Sequence, residues 1–135
     1  MKKLLLGTLI ALSSMPILAA PLEATYNIHI TDAICFAGVQ TYVTSNHLAS
    51  VMNNTDIVQK IYVSHHLCVD KVKKCKTTDF QVKVNPHQRW TDQATLNLYP
   101  TYKNAGRYTA TASTKIAGPF GLSVGAIKTG FIDVR

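Results

Sequence analysis

Hydrophobic and polar residues alternate with a period of two over much of the chain, and the longest such run organises the reading of the rest. From Gly106 onward, Tyr108, Ala110, Ala112, Thr114 and Ile116 fall on one face of an extended segment, and Arg107, Thr109, Thr111, Ser113 and Lys115 fall on the other. A strand with such small inward side chains needs a partner on each edge and a second sheet over its inner face. Other segments share the period. Thr25 to Thr31 places Tyr26, Ile28 and Ile30 together, and His47 to Met52 runs into the turn cluster Asn53, Asn54, Thr55 and Asp56. Ala94, Leu96 and Leu98 define a strand that Pro100 ends. Residues 33 to 45 hold apolar side chains without a clear period and are interrupted by Gly38, so one short strand is expected there. Ala117 to Gly121 reads as a turn, and Leu122 to Val134 as one or two strands broken at Gly125 and Gly130. After the N-terminal stretch no helical period exceeds two turns, and there is no internal repeat.

The sharpest register lies between residues 61 and 82. If Cys68 faces Cys75 across a hairpin with its tip at Val69 to Lys74, antiparallel pairing sets Leu67 against Lys76, His65 against Thr78, Val63 against Phe80 and Ile61 against Val82. The other face then carries His66 beside Thr77, Ser64 beside Asp79 and Tyr62 beside Gln81. One face is apolar away from the tip and the other polar, and a slip of one residue would destroy that separation. Opposed Cα atoms lie about 4.5 to 5.5 Å apart, within reach of a disulfide. A Cys68–Cys75 bridge is therefore expected in preference to a pairing that uses Cys35. Closing so short a loop contributes about 2 to 3 kcal/mol, so the bridge shapes the tip more than it holds the fold.

The run from Leu96 and Leu98 through Asn104, Ala105, Gly106, Tyr108 and Ala110 resembles the strand E to strand F corner of immunoglobulin-like sandwiches. The resemblance implies that the Tyr108 hydroxyl bonds back to the backbone of the preceding turn. Antibody-type domains place their second cysteine where this chain has Ala110, so their inter-sheet disulfide is not implied. Together with seven or eight strands spaced near ten residues apart, the expected fold is all-β: an antiparallel, immunoglobulin-like β-sandwich.

Ahead of this domain, Met1, Lys2 and Lys3 form a short positive region, Leu4 to Leu12 an apolar stretch, and Ser13 to Ala20 a small-residue exit. Residues 1–20 read as a secretory signal peptide that is removed, and 21–135 as a single domain. Cleavage after Ala19 fits better than after Ala20, which would leave Pro21 first. The apolar stretch is shorter than the roughly 20 residues of a membrane span, so no transmembrane segment is expected in the mature chain. The product is expected in the periplasm or outside the cell. Setting Lys2 and Lys3 aside takes the formal net charge from +7 to +5, a balance that favours anionic surfaces but that solubility alone also accounts for. Export places the three cysteines in an oxidising compartment, where one is left over. That thiol, or an uncovered edge strand, could join two copies, which leaves the oligomeric state open.

Candidate chemistry is sparse. Gly121, Leu122, Ser123, Val124 and Gly125 match a nucleophile elbow, but that elbow needs a strand-turn-helix in a larger parallel sheet and a histidine later in the chain, and no histidine follows Ser123. A small hydrolase using Ser123 or Cys35 is the least supported reading. His66, Cys68 and Cys75 share a face and could hold zinc only with both thiols reduced; neither spacing is an established ligand pattern, so no metal and no cofactor are expected. Cys35 reads as a buried structural thiol. Lys71, Lys73, Lys74 and Lys76 crowd the hairpin tip with only Asp70 to offset them. They read either as a solvated tip that discourages edge pairing or as a dock for anionic lipid, glycan or nucleic acid. Sequence-specific nucleic-acid binding is not expected, because no recognition helix or aromatic-interleaved basic motif is present. Trp90, with Arg89, Tyr99 and Tyr102 near in sequence, reads as a lid on the core edge or as a stacking platform. The function expected overall is a non-enzymatic module that binds a protein or envelope component through loops and the basic hairpin.

Overall fold

The computed structural model describes residues 20–135; the leader read at 1–20 lies, but for Ala20, outside the described residues. Eight strands follow in order: β1 (Leu22–Ile30), β2 (Ala33–Cys35), β3 (Val43–Asn53), β4 (Gln59–Val69), β5 (Lys74–Val84), β6 (Arg89–Leu98), β7 (Gly106–Ala117) and β8 (Ser123–Val134). They form two facing sheets, one of order β1-β3-β6 and one of order β2-β8-β7-β4-β5. In the lettering of immunoglobulin-like sandwiches, β1, β3 and β6 take positions A, B and E, and β8, β7 and β4 take G, F and C. β5 stays beside β4, because a four-residue turn and eleven paired positions leave it no room to cross to the other sheet. The fold is thus the expected immunoglobulin-like sandwich, with one departure from a purely antiparallel design: β2 pairs with the end of β8 in parallel.

The strand from Gly106 occupies the middle of the larger sheet, flanked by β4 and β8, with Tyr108, Ala110, Ala112, Thr114 and Ile116 all buried. At its start the Tyr108 hydroxyl donates to the Asn104 carbonyl at 2.8 Å, as the corner resemblance implied. In the β4–β5 hairpin every expected pair is present, from Ile61 opposite Val82 to Cys68 opposite Cys75, and the Cys68–Cys75 disulfide is formed. Val63 is buried and Phe80 half-buried on the inner face.

Three segments differ from expectation. Residues 33 to 45 hold a three-residue strand and the beginning of another, since β3 starts at Val43 and not near His47. Its inward positions there include Ser45 and His47, so polarity hid the period. The final segment is one continuous strand. Gly125 and Gly130 do not break it; they make room. A Cβ on Gly130 would lie 2.7 Å from Cγ2 of Ile30, and one on Gly125 would lie 2.7 Å from the Thr114 carbonyl oxygen. Tyr26 shares its parity with Ile28 and Ile30 but is exposed, since β1 is an edge strand and only part of it is covered. At the turn after β3, Asn53 is fully buried. Its amide donates to the Ile57 and Val84 carbonyls, and its oxygen accepts from the Thr55 N–H and hydroxyl, which locks the turn.

The core falls into two apolar halves. One holds Leu67, Val69, Leu96, Leu98, Tyr102, Tyr108 and Ile132, toward the hairpin tip. The other holds Ala49, Val51, Ile61, Val63, Val84 and Ile116, toward the opposite end. Because Ile30 occupies the volume a side chain on Gly130 would need, Gly130→Ala is expected to destabilise by about 1 to 3 kcal/mol, read as a lower urea midpoint at unchanged slope.

Candidate functional site

Three loops meet at the hairpin-tip end: residues 36–42 between β2 and β3, 70–73 between β4 and β5, and 99–105 between β6 and β7. Backbone bonds tie the first to the third, Gly38 N–H to the Tyr102 carbonyl at 2.7 Å and Thr41 N–H to the Pro100 carbonyl at 3.2 Å. Asp70 ties the second to β7, its carboxylate accepting the Thr109 N–H at 2.7 Å while its own N–H donates to the Thr109 carbonyl at 3.0 Å. Lys71 and Lys73 adopt left-handed backbone, as so tight a turn requires. Lys71 reaches back so that its ammonium lies 3.3 Å from the Arg107 carbonyl and 5.3 Å from the centre of the Tyr108 ring.

Lys71, Val72, Thr101, Lys103, Asn104 and Tyr108 thereby line a cleft of about 400 Å³. Arg107 sits beside it, its guanidinium 5.0 Å from the Phe131 ring centre. Carboxylates at this end include Asp70, held by the Thr109 N–H, and Asp133, opposite Arg107 and 3.8 Å from the Arg135 guanidinium; against them stand Lys71, Lys73, Lys103, Arg107 and Arg135. The same end leaves Ile34, Phe36, Val39, Tyr42 and Tyr99 each more than half exposed. Tyr42 and Tyr99 pack ring on ring at 6.3 Å.

The expected site residues do not gather in one place. Lys71, Lys73, Lys74 and Lys76 are all exposed at the tip, with Lys74 and Lys76 on the inward parity of edge strand β5, beyond the cover of the second sheet. Arg89 and Trp90 lie at the opposite end, paired with Met52 and Val51. Trp90 is half-buried against Phe80, ring centres 5.9 Å apart, which is the lid arrangement, and Arg89 donates to the Ser50 hydroxyl at 3.0 Å. Nine residues of extended chain, at about 3.4 Å each, separate Trp90 from Tyr99. Tyr102 is fully buried against Tyr108. No joint stacking platform of Trp90, Tyr99 and Tyr102 forms. Lys103, Arg107, Phe36 and Tyr42 were not singled out from the sequence; only the topology brings Lys103 and Arg107 to Lys71, and Phe36 and Tyr42 to the same end.

The interior holds a second cluster of reactive residue types. Ser45 and His47 on β3, Thr114 on β7 and His65 on β4 are fully buried in a seam between the two apolar halves. Distances run 2.7 Å from Ser45 Oγ to His47 Nε2, 2.8 Å from His47 Nδ1 to Thr114 Oγ1, and 3.0 Å from Thr114 Oγ1 to His65 Nδ1. His65 Nε2 faces the Asp92 carboxylate at 3.8 Å and has no hydrogen-bond partner among the described residues. The carboxylate favours a proton on that nitrogen, which fixes the rest of the chain by elimination. Ser45 donates to His47 Nε2, His47 Nδ1–H donates to Thr114, and the Thr114 hydroxyl donates to His65 Nδ1.

Each seam atom except His65 Nε2 is thus occupied by a structural partner. Burial pushes His47 down to about 4, with the neighbouring His65 adding to the effect. His65 is lowered by burial too, with Asp92 opposing. Cys35 is buried, and desolvation followed by the Asp133 carboxylate raises its thiol, the reverse of what an activated nucleophile needs. Ser123 opens β8 on the exposed face after the Pro119–Leu122 turn, without the helix an elbow requires. His66, Cys68 and Cys75 do come together, their ligand atoms within 4.8 Å of one another, but the two sulfurs are bonded to each other.

No protein-family model matches the chain, and no curated protein matches it. Solved structures with a similar strand arrangement include the CARDB domain of the PF1109 protein from Pyrococcus furiosus, determined with di-metal ions. It is 9% identical, with a TM-score of 0.45, over 84% of this chain and 96% of that one. The sporulation control protein Spo0M from Bacillus subtilis is 14% identical with a TM-score of 0.44, over 83% of this chain and half of that one. The PapD-like domain 7 of human CEP192 is 9% identical with a TM-score of 0.28, over 90% and 94%. At these values the likeness is one of architecture, and the fold rests on the sheet order and the tyrosine corner described above.

The seam makes the protein acid-labile. Below the ordinary histidine value of 6.5 the unfolded chain takes up a proton that folded His47 refuses until about pH 4. Stability is therefore full above pH 6.5 and falls between there and pH 4, by about 1.4 kcal/mol per pH unit from His47, with His65 acting in the same direction. Urea midpoints measured from pH 7.5 to 4 should decline accordingly. Thr114→Val, which leaves both Nδ1 atoms without a partner, should cost about 2 to 4 kcal/mol at pH 7.

Proposed function

We propose that the protein is an exported, non-enzymatic interaction module whose recognition surface is the three-loop end of the sandwich. One observation carries this reading: five large apolar side chains, Ile34, Phe36, Val39, Tyr42 and Tyr99, stay exposed at the same end as Lys71, Lys103 and Arg107. Isolated exposed hydrophobics are ordinary, but five at one end of a sandwich, beside a net excess of basic side chains, are the composition of a binding surface. The partner is a protein or other envelope component with an acidic rim around an apolar centre. The apolar leader of residues 4–12 and the Cys68–Cys75 bridge support a periplasmic or secreted location.

A second reading is an adaptor for anionic lipid or glycan through Lys71, Lys73, Lys74 and Lys76, supported by the placement of these four exposed residues on one hairpin. The two differ in what they need from the apolar side chains and from salt. Polyanion binding weakens steeply with rising salt and ignores Phe36, whereas a protein interface with an apolar centre depends on both.

The experiment is capture from envelope extract by residues 21–135 at two salt concentrations, beside binding to heparin and to phosphatidylglycerol vesicles. Lys71→Glu with Lys103→Glu is expected to weaken capture of the specific partner about tenfold, and Phe36→Asp to abolish it with strand content unchanged. Loss of vesicle or heparin binding in the lysine variant alone, with Phe36→Asp inert, would transfer the function to the second reading. Equal capture by all variants would overturn both.

A further inference from the structure

On the outer face of the β4–β5 hairpin, one residue pair in from the 70–73 turn, the Cys68–Cys75 disulfide sits beside His66. Nε2 of His66 lies 2.8 Å from Cys68 Sγ, and its Nδ1 is held by the Thr77 hydroxyl at 2.5 Å. A hydroxyl can donate or accept, so Thr77 aims the ring at the sulfur whichever proton the imidazole carries. The two sulfurs are not equivalent. Cys75 is exposed on β5, the edge strand, whereas Cys68 is half-buried on β4 and flanked on its other side by Thr111 of β7.

We infer that this bridge is a thiol-exchange site, in which an external thiolate attacks Cys75 and His66 receives the departing Cys68. Attack on a disulfide sulfur follows the line of the S–S bond from the far side. For Cys75 that line opens past the free edge of β5; for Cys68 it runs over the neighbouring strand β7. The incoming sulfur forms a bond to Cys75 Sγ, the Cys68–Cys75 bond breaks, and its electron pair leaves on Cys68. There the Nε2–H of His66 donates to the thiolate. A second external thiolate attacks the sulfur of the first, releasing Cys75 as a thiolate. Two small thiols thus become one disulfide, and the protein gains two electrons and two protons as its dithiol. Lys74 and Lys76 flank Cys75 in sequence but stand on the inward parity of β5, so the attacking group is taken as a small thiol selected by access to the edge, with glutathione the probe.

The hairpin is built to survive opening. β4 and β5 pair over eleven positions, their inner faces are fixed by Ile61, Val63 and Leu67, and the bridge closes a loop with a sequence separation of only 7. A purely structural disulfide needs no imidazole on its sulfur and no exposed member at a free edge. The inference is independent of what the loop end binds.

The test is to expose the folded, oxidised protein to millimolar reduced glutathione, quench with acid and map cysteine adducts by mass. The bridge should open with strand content unchanged by circular dichroism, with the transient glutathione adduct on Cys75, and Cys68→Ser, given oxidised glutathione in place of reduced, should take up one glutathione at Cys75 and release the other as thiolate. His66→Gln, oxidised and folded, should open about tenfold more slowly. A bridge that opens only when the protein unfolds, an adduct on Cys68, or a His66→Gln rate equal to the parent's would each overturn the inference, and the first two are read on the unsubstituted protein.

Discussion

The polar seam across the middle of the core is the constraint to which the other elements conform. Its members come from three strands in two sheets, β3 in the smaller and β4 and β7 in the larger, so their hydrogen bonds exist at one relative position of the sheets. Apolar contacts tolerate sliding; an imidazole that must meet a hydroxyl in a dry interior does not. The seam adds little net stability, since each bond replaces one to water. It penalises every alternative packing by the cost of stranded polar atoms. The price is sensitivity to protons, because both imidazoles are held neutral by the same burial that makes their bonds specific.

With the sheets fixed, the two ends of the sandwich acquire different characters. At the Trp90 end, Trp90, Phe80 and the Asn53 turn close the core, and Arg89 is engaged by Ser50. At the other, the tyrosine corner and the Asp70 bonds hold three loops against β7 without covering their apolar side chains. Loops fixed by backbone hydrogen bonds lose little entropy when a partner arrives, which is the property that lets a small patch bind with specificity. The five exposed apolar residues stand on this braced frame.

How much of this was legible in the sequence depends on whether a residue's role is local. The β4–β5 register could be read because segregation of Ile61, Val63 and Leu67 from Tyr62, Ser64 and His66 is a property of neighbouring residues, and the two cysteines anchored it. The strand from Gly106 was legible for the same reason. The start of β3 was not, because Ser45 and His47 point inward and invert the pattern; their partner Thr114 is 67 residues from His47. Gly130 read as a break because its reason, the methyl of Ile30, comes from another strand. At the candidate site the lysine cluster of the hairpin tip was visible, but Lys103 and Arg107 join it, and Phe36 reaches the same end, only through topology. Arg89 and Trp90, which looked like neighbours of Tyr99, are carried away by the length of β6.

The three cysteines show the same rule from the side of chemistry. Cys35 lies between β8 and the loop that follows it, and desolvation and Asp133 hold its thiol protonated. Cys68 and Cys75 differ from it in little but position. They project from the outer face, where solvent reaches the sulfur and an imidazole touches it. In a sandwich the parity of a strand position decides between these fates, since one residue's shift moves a side chain from the dry interior to the wet face. His65 and His66 make the point within a single dipeptide: the first is locked into the seam, and the second stands beside an exposed disulfide. Reactivity in this protein is therefore assigned by the same two-residue period that builds its sheets.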